Sequence, residues 1–419
     1  MGGMIQESNP RLDCRAAELG ALAALAANPD RPRGILPFER LVRDEIRQGE
    51  LSQRRVKVIG QFCNFVPDEL VLALGGAPLR LEKGCHAHAQ VGTQRLSSDQ
   101  CPAIRAAYAL GEGPEWPLSA ADLVVVPTSC DGKKKLAALL ARRVAVFTLE
   151  LPPANQGERA KRWWLEEIHR LIGKLEEVTG NRLRRRPLRE AIAQVNRRAA
   201  LVRRLQVIRT RDPAPINGAD HLLVMATSFI AEPGFWIARV EELIGELEEK
   251  AARPAPGPAR PRILLTGSPV FWPDFKLPLA ILRAGADVVA DDLCSGTARL
   301  DQPTVVDEDT KESLIRAAAE RVLLPCACPC FIANELRRDR LFSLIARHRI
   351  HGVIHHTLRC CQLYDADAKG LAADFQARGV PFLELTAEFA PEEEARIQVR
   401  VDAFVEMLLA RQNPSHIKR

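Results

Sequence analysis

A chain of 419 residues exceeds what one simple core accommodates, so two domains are expected; 47% hydrophobic and 27% charged residues exclude a disordered or membrane-embedded protein. Ala, Leu, Val and Arg are plentiful and aromatics make up only 5%, which favours layered helix-and-sheet packing over an all-β sandwich. The net charge of +6 is concentrated between Arg182 and Arg211, where helical spacing, few aromatics and Glu-rich flanks suggest a solvated helix face or an acidic partner's docking face, with no nucleic acid expected.

The chain opens, over residues 1–50, with an N-terminal helical segment: an Ala/Leu-rich stretch (Ala16 to Ala27), then an amphipathic one (Phe38 to Gly49). A first α/β domain is expected over 51–252. Short β-branched runs at Val56–Ile59, Leu123–Val126 and Val144–Phe147 alternate with helical stretches, and a long helical extension runs from Asn155 to Lys250. Residues 253–261, with four prolines, cannot continue a helix and read as a linker. Beyond it, over 262–419, a second α/β domain has strand candidates at Ile263–Leu265, Asp287–Ala290, Val322–Leu324, Gly352–His355 and Phe382–Leu385. The two halves echo one another. Lys57 to Glu69 and Arg262 to Phe275 each run strand, loop and Pro-Asp helix start, then helix, Gly stop and strand. Two similar doubly wound parallel-sheet domains of flavodoxin/Rossmann type are the expected architecture.

The N-terminus shows no basic-then-apolar signal pattern, Gln6 departs from the myristoylation template, and the apolar runs fall short of a membrane span. A cytoplasmic protein without a membrane partner is expected. In that compartment the eleven cysteines point to metal or redox chemistry before structural disulfides.

Their positions sharpen the expectation. Cys63, Cys130, Cys294, Cys326 and Cys361 each follow a strand candidate, Cys85 lies just after the second strand of the first half, and Cys101 starts a helix with Pro102 behind it. Ligands of open parallel sheets bind at the carboxyl ends of the strands, so two such sheets facing one cleft pool these thiols. Cys14 alone looks like an apolar filler. Zinc sites use paired Cys-x(2–4)-Cys hairpins; neither Cys326-Ala-Cys-Pro-Cys330 nor Cys360-Cys361 makes the usual knuckle, and donors gathered singly from distant loops suit an iron–sulfur cluster. The lysines after Cys130 sit at a helix start, where they either favour thiolate or are simply solvated. His86, His88, His355 and His356 are candidate proton donors, with His86 and His356 foremost, although histidines near strand ends commonly have structural roles.

Gly60-Gln-Phe-Cys-Asn-Phe-Val-Pro-Asp-Glu-Leu70, Asp99-Gln-Cys-Pro102, Thr128-Ser-Cys-Asp-Gly-Lys-Lys-Lys135, Asp291-Asp-Leu-Cys-Ser-Gly296, Pro325-Cys-Ala-Cys328 and His356-Thr-Leu-Arg-Cys-Cys361, in this order and spacing, resemble the 2-hydroxyacyl-CoA dehydratase and benzoyl-CoA reductase subunit family, including its double-cubane cluster relatives. The resemblance spans about Val56 to Leu409. It implies that Cys101, Cys130 and Cys361, or Cys360 beside it, hold a 4Fe-4S cluster. It further implies that Cys63, Cys85, Cys294 and Cys326 form the pool of ligands for a double-cubane 8Fe-9S cluster, with one to spare. Glu82 departs from relatives that carry cysteine nearby, and Cys85 is the candidate replacement. The implied function is an iron–sulfur reductase of a small substrate, fed by an ATP-hydrolysing iron–sulfur activator and assembled as a homodimer. The alternative is a 2-hydroxyacyl-CoA dehydratase or benzoyl-CoA reductase subunit with a single 4Fe-4S cluster. The chain has no Gly-x(4)-Gly-Lys-Ser/Thr loop, consistent with an external energy source.

Overall fold

The computed structural model of the chain describes residues 10–48, 56–110, 118–252, 260–333 and 335–412. The domain boundary expected at residues 50/51 and most of the proline-rich linker (253–259) lie outside them.

The N-terminal segment forms α1 (Pro10–Ala26) and α2 (Leu36–Gln48). A strand–helix alternation follows: β1 (Val58–Gln61), α3 (Asp68–Ala73), β2 (Ala77–Arg80), α4 (His86–Thr93), α5 (Pro102–Leu110), β3 (Leu123–Pro127), α6 (Asp131–Leu140) and β4 (Val146–Leu149). Four helices continue the chain, α7 (Glu158–Thr179), α8 (Arg185–Ile208), α9 (Gly218–Thr227) and α10 (Pro233–Ala251). The alternation then resumes with β5 (Arg262–Gly267), α11 (Lys276–Arg283), β6 (Asp287–Asp291), α12 (Lys311–Leu323), α13 (Glu335–His348), β7 (Gly352–Leu358), α14 (Gln362–Ala377), β8 (Phe382–Ala387) and α15 (Glu394–Gln412).

The strands make two four-stranded, all-parallel sheets, ordered β2-β1-β3-β4 and β6-β5-β7-β8. The second order repeats the first, strand for strand, as the echo between the halves predicts. β1, β3, β5, β6 and β7 are buried along their whole length, as expected of strands covered by helices on both faces.

One strand expected from the sequence is absent: Val322-Leu-Leu324 closes α12. Val322 and Leu323 continue the apolar stripe of Leu314, Ile315 and Ala319, all buried in one core with the first sheet. A short apolar run has no period of its own, and the helical stripe ahead of it decides the conformation. Trp164 Nε1 donates to the Ala319 carbonyl at 2.8 Å, fastening α7 to this helix. α12 thus packs on the sheet of the opposite half of the chain. Conversely, α1, α2 and α8–α10 share one core with β5, β7, α11 and α15. The halves are interleaved, and the strand ends of both meet at a common cleft. No helix among the described residues is long and apolar enough to cross a membrane.

Candidate metal centre

A cavity of about 520 Å3 opens where the carboxyl ends of the two sheets face each other. Eight cysteines line it: Cys63, Cys101, Cys130, Cys294, Cys328, Cys330, Cys360 and Cys361. Cys326 lies behind, on a smaller adjoining cavity shared with Cys294 and Cys328.

Three of these thiols sit at helix starts. Cys101 precedes Pro102 of α5, Cys130 is the residue before α6, and Cys361 the residue before α14. α6 follows β3 and α14 follows β7, which occupy matching places in the two sheets, so Cys130 and Cys361 are counterparts. The amides of Ala103 and Ile104 face the Cys101 sulfur, that of Lys133 faces Cys130, and those of Leu363 and Tyr364 face Cys361. Amides at a helix start favour thiolate. The Cys101 and Cys361 sulfurs face each other. The Cys101 thiol donates, and Cys361 is held at about 6 by that bond together with its amides and the Ser268 hydroxyl. Cys130 is pushed up by burial and senses both Cys63 and Cys361, placing it between two groups of sulfurs.

The second group gathers round Cys63. The Cys330 thiol faces Cys328, and that contact holds Cys328 below the ordinary thiol value while raising Cys330. Burial raises Cys294 to about 11 despite the Arg80 guanidinium beside it. Two cations, the buried Arg80 and the half-buried Lys133, face these thiols. Lys133 Nζ lies 2.7 Å from Cys63 Sγ and 2.6 Å from Glu82 Oε1. Arg80 donates to Glu82 at 2.7 Å, to Asn64 Oδ1 at 3.0 Å and to the Cys294 carbonyl at 2.7 Å. Burial opposes charge on Lys133, but Cys63 and Glu82 outweigh it and raise the ammonium's pKa above its ordinary value. Glu82 also accepts from the Cys63 amide at 2.9 Å. Burial works against its ionisation, yet Arg80 and Lys133 hold it at about 2. One carboxylate faces two cations on this wall, with the Cys63 and Cys294 sulfurs beside them.

Backbone conformation adds to the picture. Cys63 (φ 59°) and Cys360 (φ 61°) occupy the left-handed region, each two residues beyond the end of its strand, β1 and β7. Non-glycine residues take this conformation at a cost of about 1–3 kcal/mol, and such residues cluster at ligand clamps.

Among the residues expected to bind metal, the cavity brings together Cys63, Cys101, Cys130, Cys294 and Cys361, with Cys326 just behind. Cys361 faces Cys101, whereas Cys360 is exposed at the rim. Cys85 is elsewhere: its sulfur is bonded to that of Cys14, a pairing not expected of a residue read as an apolar filler. His86 and His356 do not line the cavity. His86 faces Gln90 on α4, and His356 is buried in β7 with Nδ1 3.3 Å from the Ser268 carbonyl oxygen, its imidazole lowered to about 4 by burial. Cys328, Cys330, Arg80 and Tyr364 also stand at the cavity wall, beyond the residues expected from the sequence; the i, i+2, i+4 repeat of Cys326, Cys328 and Cys330 signals the two cysteines, and no local pattern signals Arg80 or Tyr364. The donor set fits an anionic cluster: soft sulfurs converge on one space from both halves, beside Arg80 and Lys133.

The family profile described as "2-hydroxyglutaryl-CoA dehydratase, D-component" matches residues 63–408. YjiM of Escherichia coli strain K12, which carries the name of a dehydratase subunit, is 26% identical over 362 residues, 86% of this chain and 93% of that relative. The beta subunit of the (R)-2-hydroxyglutaryl-CoA dehydratase of Acidaminococcus fermentans is 22% identical over 362 residues, 84% of this chain and 92% of its own length. A benzoyl-CoA reductase subunit of Thauera aromatica is 24% identical over 254 residues, 59% of this chain and 64% of that relative.

Proposed function

Because this chain belongs to the 2-hydroxyglutaryl-CoA dehydratase D-component family, we propose that it is an iron–sulfur reductase whose double-cubane cluster sits in the cleft between the two sheets. The observation that carries this reading is the convergence of eight cysteines on one cavity. Cys101, Cys130 and Cys361 form one ligand set. Cys63, Cys294 and the Cys326–Cys330 loop supply the other, Cys85 being engaged with Cys14. Such a cluster supplies low-potential single electrons when bound. An ATP-hydrolysing activator delivers those electrons, since the chain carries no phosphate-binding loop of its own.

The chain's own residues do the rest. Lys133 and Arg80 offset negative charge at the Cys63 and Cys294 side, and the apolar ring of Phe62 under Lys133, 5.5 Å from its Nζ, helps exclude water. Tyr364, buried at the cavity wall beneath Arg337, holds a proton within reach of a small substrate; burial keeps its phenol protonated.

The names of the relatives favour a second reading, a 2-hydroxyacyl-CoA dehydratase or aryl-CoA reductase subunit with one 4Fe-4S cluster. Glu82 fits that reading too, because it places a carboxylate where another thiolate could stand. Iron and sulfide analysis with EPR on anaerobically purified protein separates the two. About eight irons per chain supports the double cubane, about four the single cluster, and a chain without bound iron ends both.

A further inference from the structure

Away from the cleft, Cys14, Cys85 and His88 meet where the N-terminal helix packs on α4. Cys14 comes from α1, Cys85 is the residue immediately before α4, and His88 lies in the first turn of that helix. The Cys-x-x-His spacing turns the Cys85 sulfur and the His88 imidazole to one side, because residues three apart are neighbours on a helical face. All three are buried, at 7%, 1% and 4% exposure. One ligand atom from each lies within 4.8 Å of the others. None of the three lines the cleft cavity. An ion pair between Glu18 and Lys83, 3.3 Å apart, ties α1 to the segment leading into α4 and holds the sides of this cluster together.

Two thiols and an imidazole are the donor chemistry of zinc-type ions, and three protein ligands leave a fourth tetrahedral position for a small exogenous one. The two sulfurs are bonded to each other in this structure, with their Cα atoms 5.7 Å apart. Two thiolates at about 2.3 Å from a tetrahedral ion stand roughly 3.7 Å apart, a separation that rotation of two short side chains supplies. The disulfide accounts for the two sulfurs, and the buried imidazole stands beside them as a third donor facing the same point.

We propose that Cys14, Cys85 and His88 form a second metal site, for a thiophilic divalent ion of zinc type, and that the Cys14–Cys85 disulfide is its metal-free, oxidised form. Interconversion needs a dithiol reductant. The reductant gives up two electrons and two protons and closes to its own disulfide, while the protein sulfurs take these up as two thiols. Binding the ion then releases one proton from each thiol.

The test uses the full chain purified anaerobically with and without a dithiol reductant, as wild type and as the Cys14→Ser and His88→Ala variants. Zinc is measured by elemental analysis and the disulfide by mass spectrometry of thiol-blocked protein. About one zinc per chain is expected in the reduced wild type and in neither variant. His88→Ala should still form the disulfide under oxidation, which separates metal binding from simple sulfur pairing. A zinc chelator should lower the melting temperature of the reduced wild type and leave both variants unmoved, a comparison that also detects a variant that has failed to fold. Equal zinc in all three proteins, or a Cys14–Cys85 disulfide that persists in the reduced wild type, overturns the proposal. Because each comparison is between variants outside the cleft, the result is independent of the iron content there.

Discussion

Cys360 and Cys361 are adjacent, and the sequence left open which of them would serve as the metal ligand of the proposed cluster. The backbone separates them. Cys360, in the left-handed region, is turned to solvent, whereas Cys361 stands just before α14 and faces Cys101. Cys361→Ser should therefore lose most of the bound iron while Cys360→Ser retains it; equal iron in the two variants would exclude this assignment. Gly267 is constrained by its backbone as well. It ends β5 at φ 104°, and a Cβ there would stand 2.1 Å from the His356 carbonyl oxygen. Strain and overpacking together should make Gly267→Ala about 2–5 kcal/mol less stable, read from denaturant melts. Gly245→Ala in α10, where nothing lies within 4 Å of the added carbon, is the matched control and should be neutral or slightly stabilising. At this scale the sequence was partly legible. Cysteines could be placed at strand ends by counting along the chain, but the pairing of Cys85 with Cys14 depends on how α1 folds back onto α4, which no local pattern encodes.

Among the elements, α13 carries the loop that supplies Cys328 and Cys330. Its Arg337, buried, donates to Asp292 at 2.8 Å, Asp367 at 2.8 Å and Thr266 at 3.0 Å, and to the Ala327 carbonyl at 3.3 Å. One guanidinium thus joins the ends of β5 and β6, the helix α14 and the cysteine loop. Two carboxylates more than offset the burial penalty on the guanidinium and raise its pKa. Arg337→Met removes one partner from each carboxylate and leaves Asp292 to Arg340 and Asp367 to His355, and a loss of about 1.5–3 kcal/mol is expected in equilibrium unfolding. A loss below about 1 kcal/mol would show that the carboxylates find other partners or protons. The strand and helix order was readable here because alternating apolar runs and glycine stops are local signals. The Val322–Leu324 run was misread because its packing partner, the first sheet, lies far away in sequence.

For the whole molecule, buried neutral histidines couple stability to acid. His221 is fully buried between Arg209 and Asp291, and His356 is buried in β7; burial lowers both to about 4. The unfolded chain takes up these protons near pH 6.5. Between the two values it binds more protons than the native state, so stability is full above about pH 6.5 and falls as pH drops toward 4. The loss approaches roughly 3 kcal/mol for each histidine at the lower end. Melting temperatures measured from pH 7 to 4.5 should show this decline, and His221→Gln should flatten it; an unchanged slope would assign the effect to other groups. The repeated topology, by contrast, was visible in the matching strand–loop–helix starts of the two halves, while the interleaving of their helices was not, because either half could have been covered by its own.

The three helix starts behind Cys101, Cys130 and Cys361 carry partial positive charge into the same hollow as Lys133 and Arg80. That charge should draw anions into the hollow. Chloride, sulfate or cyanide should compete for it, and assembly in the test tube should slow as ionic strength rises, most steeply where the attraction is long-range.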